Sequence, residues 1–229
     1  MSIQQGSAGG VPVLILKEGT SQTKGRDAQK NNITAAKLIA EIVRSSLGPR
    51  GMDKMLVDTL GDVTITNDGA TILKEMDIQH PAAKMMVEIS KATDNEVGDG
   101  TTSVVVLAGA LIERAEELVN KDVHPTVIVD GYRKAATKAI EVLNGIAQKV
   151  AGNEKQELIR IAKTAMQTKL VSKESDDLAQ IVVDAALAVS EKTDSGFRLD
   201  IDDVKVEKKA GGSLRDTKLI KGIVLDKEV

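Results

Sequence analysis

A turn of glycines around one carboxylate, Val97-Gly98-Asp99-Gly100-Thr101-Thr102-Ser103, runs straight into a long apolar stretch from Val104 to about Asn120. Each residue type in it suits phosphate. Glycine lets the backbone approach a ligand closely. A helix start offers N–H groups without intrahelical acceptors and a partial positive charge. Threonine caps such a start or bonds a phosphate oxygen. Asp99 supplies the oxygen ligand that a hard cation such as magnesium prefers. The chemistry is that of a magnesium–nucleotide site. The same string also suits an ordinary N-capped helix after a flexible turn. No lysine follows the glycines at P-loop spacing, and the pattern is not a Rossmann fingerprint.

Two further turns share this character: Leu47-Gly48-Pro49 and Asn67-Asp68-Gly69. Each offers glycine backbone, and the second adds a carboxylate. Taken singly, each is a common turn. Brought to one end of a helical bundle, the three would form a pocket for phosphate and metal.

The elements that must position them are mostly helices. Residues 27–47 place Ile33, Ala36, Ala40 and Val43 on one face, with Ile39 and Ile42 beside them. Gly48 and Pro49 stop that helix. Met55–Thr59 and Asp62–Thr66 flank a Leu60-Gly61 turn and read as a hairpin. A short helix follows over Ala70–Met76. His80-Pro81 and His124-Pro125 each open a helix, to about Thr93 and Val150, because proline is tolerated in a first turn. Neither histidine has a second ligand at helical spacing, so both read as helix-start structure. Ala151-Gly152-Asn153 breaks the pattern. Glu154–Met166 and Asp176–Lys192 read as amphipathic helices, then Phe197–Ile201, Val204–Lys208 and Leu219–Val224 as strands. Val11–Leu16 reads as an edge strand and residues 1–10 as a loose, disordered tail.

Composition narrows the function classes. The chain has 229 residues, 41% hydrophobic and 28% charged, with a formal net charge of −3. Tyr132 and Phe197 are its only aromatic residues, so the core must be aliphatic and base-stacking nucleic-acid recognition is disfavoured. No global positive field draws it to nucleic acid or an anionic membrane. It has no cysteine, which excludes disulfides and Cys-based zinc sites. No signal-peptide pattern opens the chain, and its longest apolar stretch, near Val104–Ile112, is too short to span a bilayer.

In order and spacing, these motifs resemble the group II chaperonins, the archaeal thermosome more closely than the eukaryotic cytosolic chaperonin. The matching text is Gly25-Arg26-Asp27-Ala28-Gln29, Leu47 through Leu56, Thr66 through Leu73, His80-Pro81-Ala82-Ala83-Lys84, Gly98 through Thr102 and His124-Pro125. The likeness runs from about residue 11 to 229. It implies a mainly α fold with small β-hairpins: the first part of an equatorial, ATP-binding helical bundle over 11–150, the first part of an α/β intermediate domain over 151–218, and the start of a substrate-binding apical domain over 219–229. A complete family member is more than twice as long, so the chain is expected to be part of a longer protein.

The resemblance also implies ATP or ADP and magnesium as cofactors. Leu47, Gly48 and Pro49 would contact nucleotide and phosphate. Asp99 would bind the metal, and Gly100, Thr101, Thr102 and Ser103 the phosphate oxygens. Asn67, Asp68 and Gly69 would form a second loop near the γ-phosphate, with Asp68 a candidate to orient the attacking water. A turn aspartate bonding its own backbone is the plainer reading of Asp68. Gln167, Thr168 and Lys169 resemble a nucleotide-sensing loop in which Lys169 reaches the γ-phosphate. The family's principal catalytic aspartate lies in a later segment, so these residues alone are expected to be inactive.

Implied partners are other subunits of a cytoplasmic double ring, homo- or hetero-oligomeric, and non-native client proteins, with neither nucleic acid nor membrane. The Val11–Leu16 strand and the Met52–Thr66 hairpin would pair with ring neighbours, or else form an intrachain sheet only. The expected activity is ATP hydrolysis that drives enclosure and folding. Two other functions remain open: a non-catalytic helical interaction module, and a small phosphotransferase using Asp99 and Asp68.

Overall fold

A computed structural model describes residues 5–8, 11–14, 22–194 and 196–224 of the chain. Four helices form the main core: α1 (Gly25–Arg44), α2 (Gly69–Glu75), α3 (Pro81–Val97) and α4 (Thr101–Val119). The sequence explains their limits. Asp27 in the first turn of α1 and Arg44 in its last complement the helix dipole. The Asp68 side chain caps α2 by accepting from the Thr71 N–H. His80 caps α3 through Nδ1, which accepts from the Ala82 N–H, and Pro81 fills the first helical position. That helix runs four residues past the expected Thr93 and ends at Gly98, whose φ of 71° is the left-handed cap conformation.

The expected face of α1 is the buried one. Ala36, Ile39, Ala40 and Val43 pack with Ile72, Leu73, Met86, Val87 and Val105 in a single aliphatic cluster. Val43, Ile72 and Val105 have no exposed surface at all. Helices α1 and α4 approach each other closely at Gly109. A Cβ on that glycine would lie 2.2 Å from the Ala40 Cβ.

Helix α5 (Pro125–Ile146) begins with the same device, His124 accepting from the Thr126 N–H. It buries only Ile128 and is tied to α4 by Tyr132, whose hydroxyl donates to the Leu111 carbonyl at 2.6 Å. Helices α6 (Lys155–Met166) and α7 (Ser175–Val189) pack against each other, with Ala179, Val183 and Ala185 buried and a Lys155–Asp184 ion pair at 2.5 Å.

The strands form small antiparallel pairs. β3 (Lys54–Val57) pairs with β4 (Val63–Thr66), Lys54 opposite Thr66, as the hairpin reading anticipated. β2 (Val11–Leu14) pairs with β1 (Gln5–Ala8). The segment 5–8, expected in a loose tail, is therefore a strand: its backbone finds a ladder partner in the apolar run just after it. Ile15 and Leu16, the end of the expected edge strand, lie outside the described residues.

Further expectations fail, among them the end of α5, which lies at Ile146 rather than near Val150 because Ala147 turns extended. Helix α7 stops at Val189 rather than Lys192, because Ser190 takes an extended conformation and leads into a hairpin of β5 (Glu191–Thr193) and β6 (Gly196–Arg198). Gly196, with φ at 135°, makes that turn possible. Residues 204–208 and 219–224 are not strands. Neither is paired in a sheet among the described residues, and an unpaired strand leaves its backbone donors and acceptors without ladder partners. Their apolar side chains Val206, Ile220 and Ile223 stay exposed.

Candidate functional site

Four turns converge at one end of the α1–α4 core. The first follows α1. Ser46 N–H donates to Val43 O and Leu47 N–H to Arg44 O, a tightening last turn. Gly48, with φ at 85°, then lets the chain reverse, and Gly51 N–H returns to Gly48 O at 2.9 Å.

The second turn joins β4 to α2. Gly69 lies directly against the start of α4, where a Cβ would come within 2.6 Å of Thr102 Oγ1 and 2.8 Å of the Thr102 nitrogen. Only glycine permits that approach, and it places Asp68 beside Thr101. The third turn is Gly98-Asp99-Gly100. Gly100 is the N-cap of α4, with φ at 77° and no side-chain cap. The Gly100 N–H itself donates to Asp99 Oδ1 at 2.8 Å. The fourth turn, 167–169, ends α6, and Lys169 N–H bonds Met166 O.

Side chains lock the turns together. Asn67, buried, donates from Nδ2 to the Thr168 carbonyl at 3.0 Å. Asp68 collects four donors. Its Oδ2 accepts from the Thr71 N–H and hydroxyl, both at 3.0 Å. Its Oδ1 accepts from the Thr101 hydroxyl at 3.1 Å and from Lys169 Nζ at 2.8 Å. Partial burial pushes the Asp68 carboxyl up. The Lys169 ammonium, by hydrogen bond and charge, and the two Thr71 donors outweigh that, and the group lies below the usual carboxylate range. Thr101 is held in turn by Ser90, whose buried hydroxyl donates to the Thr101 carbonyl.

Between the turns is a small open cleft of about 40 Å³. Of the residues proposed from the sequence, Leu47, Gly48, Asn67 and Asp99 line it. So do Gly100, Thr101, Thr102, Ser103, Thr168 and Lys169. Pro49, Gly69 and Gln167 are not in its wall; Gly69 acts one layer behind, as the contact that seats Asp68. Asp68 is not in the wall either, its oxygens being occupied by Thr71, Thr101 and Lys169.

One wall residue was missed in the sequence. Ser46 is 4% exposed, lines the cleft and has an Oγ with no hydrogen-bond partner. A serine just past a helix end carries no signal of its own; only the fold shows its hydroxyl orphaned at a cleft.

The wall fits a polyphosphate. Neither Gly48 nor Gly100 has any atom within 4 Å of where a Cβ would stand, so the backbone there is open to a ligand. The start of α4 has no side-chain cap, leaving first-turn N–H groups for an anion. Lys169 adds a cation and Ser46 an unpaired hydroxyl. Among the described residues no group of three or more His, Cys, Asp or Glu side chains gathers around a metal position. Asp99, in the cleft wall, could offer one carboxylate to a hard cation whose other ligands come from phosphate and water. Among the described residues no helix is long and apolar enough to cross a membrane.

Comparison with known proteins gives the chain a family. The sequence profile of the TCP-1/cpn60 chaperonin family matches residues 39–229. The thermosome subunit alpha of Archaeoglobus fulgidus is 59% identical over 220 residues, which is 96% of this chain and 40% of that relative. The thermosome subunit of Pyrococcus abyssi is 56% identical over the same shares. The thermosome subunit alpha of Aeropyrum pernix is 57% identical over 226 residues, 97% of this chain and 41% of that relative. The chain thus spans about two fifths of the length of the curated relatives it matches.

Proposed function

This chain belongs to the TCP-1/cpn60 chaperonin family, and from that premise we propose that it is the nucleotide-binding part of an archaeal-type, group II chaperonin subunit. The longer subunit hydrolyses ATP in a cytoplasmic ring of like or related subunits and uses the cycle to enclose and fold non-native proteins. Residues 11–150 are assigned to its equatorial domain, 151–218 to its intermediate domain and 219–229 to the entry of its apical domain.

One observation carries the reading. Gly48, Asp99, the uncapped start of α4 and Lys169, from segments far apart in sequence, line a single cleft. Each residue has a role there. Gly48 and Leu47 bring backbone against the nucleotide. The N–H groups at the start of α4, with the Thr101, Thr102 and Ser103 side chains, bind phosphate oxygens. Asp99 is the protein's carboxylate for magnesium, which when bound neutralises charge on the transferring phosphoryl group. Lys169 reaches the terminal phosphate from the turn after α6. Asp68 stands next to that lysine as the group that orients the attacking water.

The test is Asp99→Ala in the assembled, full-length protein. Magnesium-dependent phosphate release falls to background while rings persist by particle size. Unchanged hydrolysis removes Asp99 from the metal site, and absence of magnesium-ATP binding by the parent protein leaves a non-catalytic interaction module instead. The 229-residue chain alone releases phosphate only at background.

A further inference from the structure

We propose that Asp99 is a site of covalent self-modification: in the empty cleft the Gly100 nitrogen attacks its side chain, and the Asp99–Gly100 link isomerises to isoaspartate. Bound magnesium nucleotide protects it. The modification rests on the loop itself, and the protection rests on the nucleotide reading of the cleft given above.

Asp99 is exposed between Gly98 and Gly100, both in the left-handed conformation with φ at 71° and 77°. The Gly100 N–H donates to Asp99 Oδ1 at 2.8 Å. A nitrogen held by that bond sits beside the side-chain carbon, and rotation about Cβ–Cγ turns the carbon to it. Nothing shields the approach, since a Cβ on Gly100 would meet no atom within 4 Å. Gly100 is the N-cap of α4, so its N–H is outside the helical ladder.

The chemistry needs only water. The Gly100 nitrogen bonds to the Asp99 side-chain carbon. One carboxyl oxygen leaves as water, taking the N–H proton and a proton from solvent, and a cyclic imide remains. Water then opens the imide. Cleavage at the side-chain carbonyl restores aspartate. Cleavage at the main-chain carbonyl leaves the chain running through the former side chain, as isoaspartate, with no net change of mass.

The chain has three other pairs of this kind, Asp68-Gly69, Asp130-Gly131 and Asn144-Gly145, and each is restrained. Asp68 is held by Thr71, Thr101 and Lys169. The other two pairs lie within α5, where the glycine N–H belongs to the helix. In Asp99 alone of the four does the carboxylate accept from the next residue's N–H.

Isomerisation adds a methylene to the main chain immediately before α4 and draws the carboxylate back to the backbone. Asp99 and the start of α4 both line the cleft, so the metal carboxylate and the phosphate-facing N–H groups are displaced together. A cation on the Asp99 oxygens takes them from the Gly100 N–H, which is why occupancy protects.

The test uses the assembled, full-length protein, incubated warm in magnesium buffer with and without ADP and then digested. Peptide fragmentation that separates the two isomers locates isoaspartate. Without ADP it accumulates at position 99 about tenfold or more faster than at Asp130, the advantage of a nucleophile already in place. ADP at about ten times its Kd slows it about tenfold, because only the empty form reacts. Asp99→Asn, with assembly verified by particle size, is the second arm. Ammonia then leaves in place of water, and the introduced amide is lost faster than that of Asn144, read as the mass gain from amide to acid. Isoaspartate at 99 no faster than at 130, or an introduced amide that outlasts Asn144, overturns the inference and leaves the site reading intact. Isomerisation that ADP does not slow, in protein that binds ADP, removes Asp99 from the metal site and overturns that reading while the modification stands.

Discussion

Asn67 and Thr168 are 101 residues apart in sequence, yet the Asn67 side-chain amide donates to the Thr168 carbonyl at 3.0 Å. This bond fastens the loop before α2 to the turn after α6. Asn67 is buried, so its removal leaves the Thr168 carbonyl without that donor, at a cost of about 1–2 kcal/mol. Asn67→Ala is expected to speed amide hydrogen exchange across 167–171 and leave exchange within α4 unchanged. An unaltered 167–171 segment would show that the turn is held by other means.

The depressed Asp68 carboxyl makes a pH prediction. Its ordinary value is 3.8, and the folded protein lowers it through Lys169 and Thr71 against the opposing effect of burial. A carboxylate depressed in the folded state contributes stability that is fully present above its unfolded value and is lost as pH falls through its folded one. The stability difference between the parent protein and Asp68→Asn should therefore be constant from about pH 5 to pH 8 and shrink below about pH 4. Denaturant unfolding across that range measures it. A difference that grows toward acid would mean that Lys169 does not stabilise the ionised carboxylate.

Helix α4 can approach α1 only because position 109 lacks a side chain. A methyl there would meet the Ala40 methyl at 2.2 Å. In an exposed helix Gly→Ala gains about 1 kcal/mol; here overpacking costs about 1–3 kcal/mol and wins. Gly109→Ala should lower the unfolding midpoint. Ala40→Gly in the same chain restores the space, so the double variant should lose less than the sum of the two single losses. Strict additivity would show that the helices do not meet there.

Much of this arrangement is legible in the sequence, for local reasons. The apolar periodicity of α1, the His-Pro starts of α3 and α5, and the Leu60-Gly61 hairpin each depend on residues within one or two turns of chain. The glycine-flanked Asp99 is legible for the same reason: it announces a helix start that favours anions. Long-range geometry is not. Residues 204–208 and 219–224 have strand-like composition, but a strand is a pairing, and composition does not supply its partner. The occupied state of Asp68 depends on Lys169, which lies on another element and which alone looks like a solvated helix-end charge. Ser46 is the clearest case. Nothing in its neighbourhood distinguishes it from Ser45, whose hydroxyl accepts from Lys54 Nζ at 2.6 Å.

That difference between neighbouring serines gives the last prediction. Ser46 Oγ is buried at the cleft and unpaired, and a buried hydroxyl without a partner destabilises the fold by about 1–3 kcal/mol. If the hydroxyl is kept to bond a phosphate oxygen, Ser46→Ala should move two measurements in opposite directions. Stability without nucleotide should stay level or rise, because the desolvated hydroxyl is gone. Affinity for magnesium ATP should fall about two- to tenfold, the loss of one hydrogen bond. Ser45→Ala, which breaks an existing bond to Lys54, should do the reverse, lowering stability and leaving affinity within about twofold. Thermal unfolding and equilibrium nucleotide titration of the two assembled variants decide it. A Ser46→Ala protein that gains stability and binds nucleotide unchanged would reduce Ser46 to a packing residue.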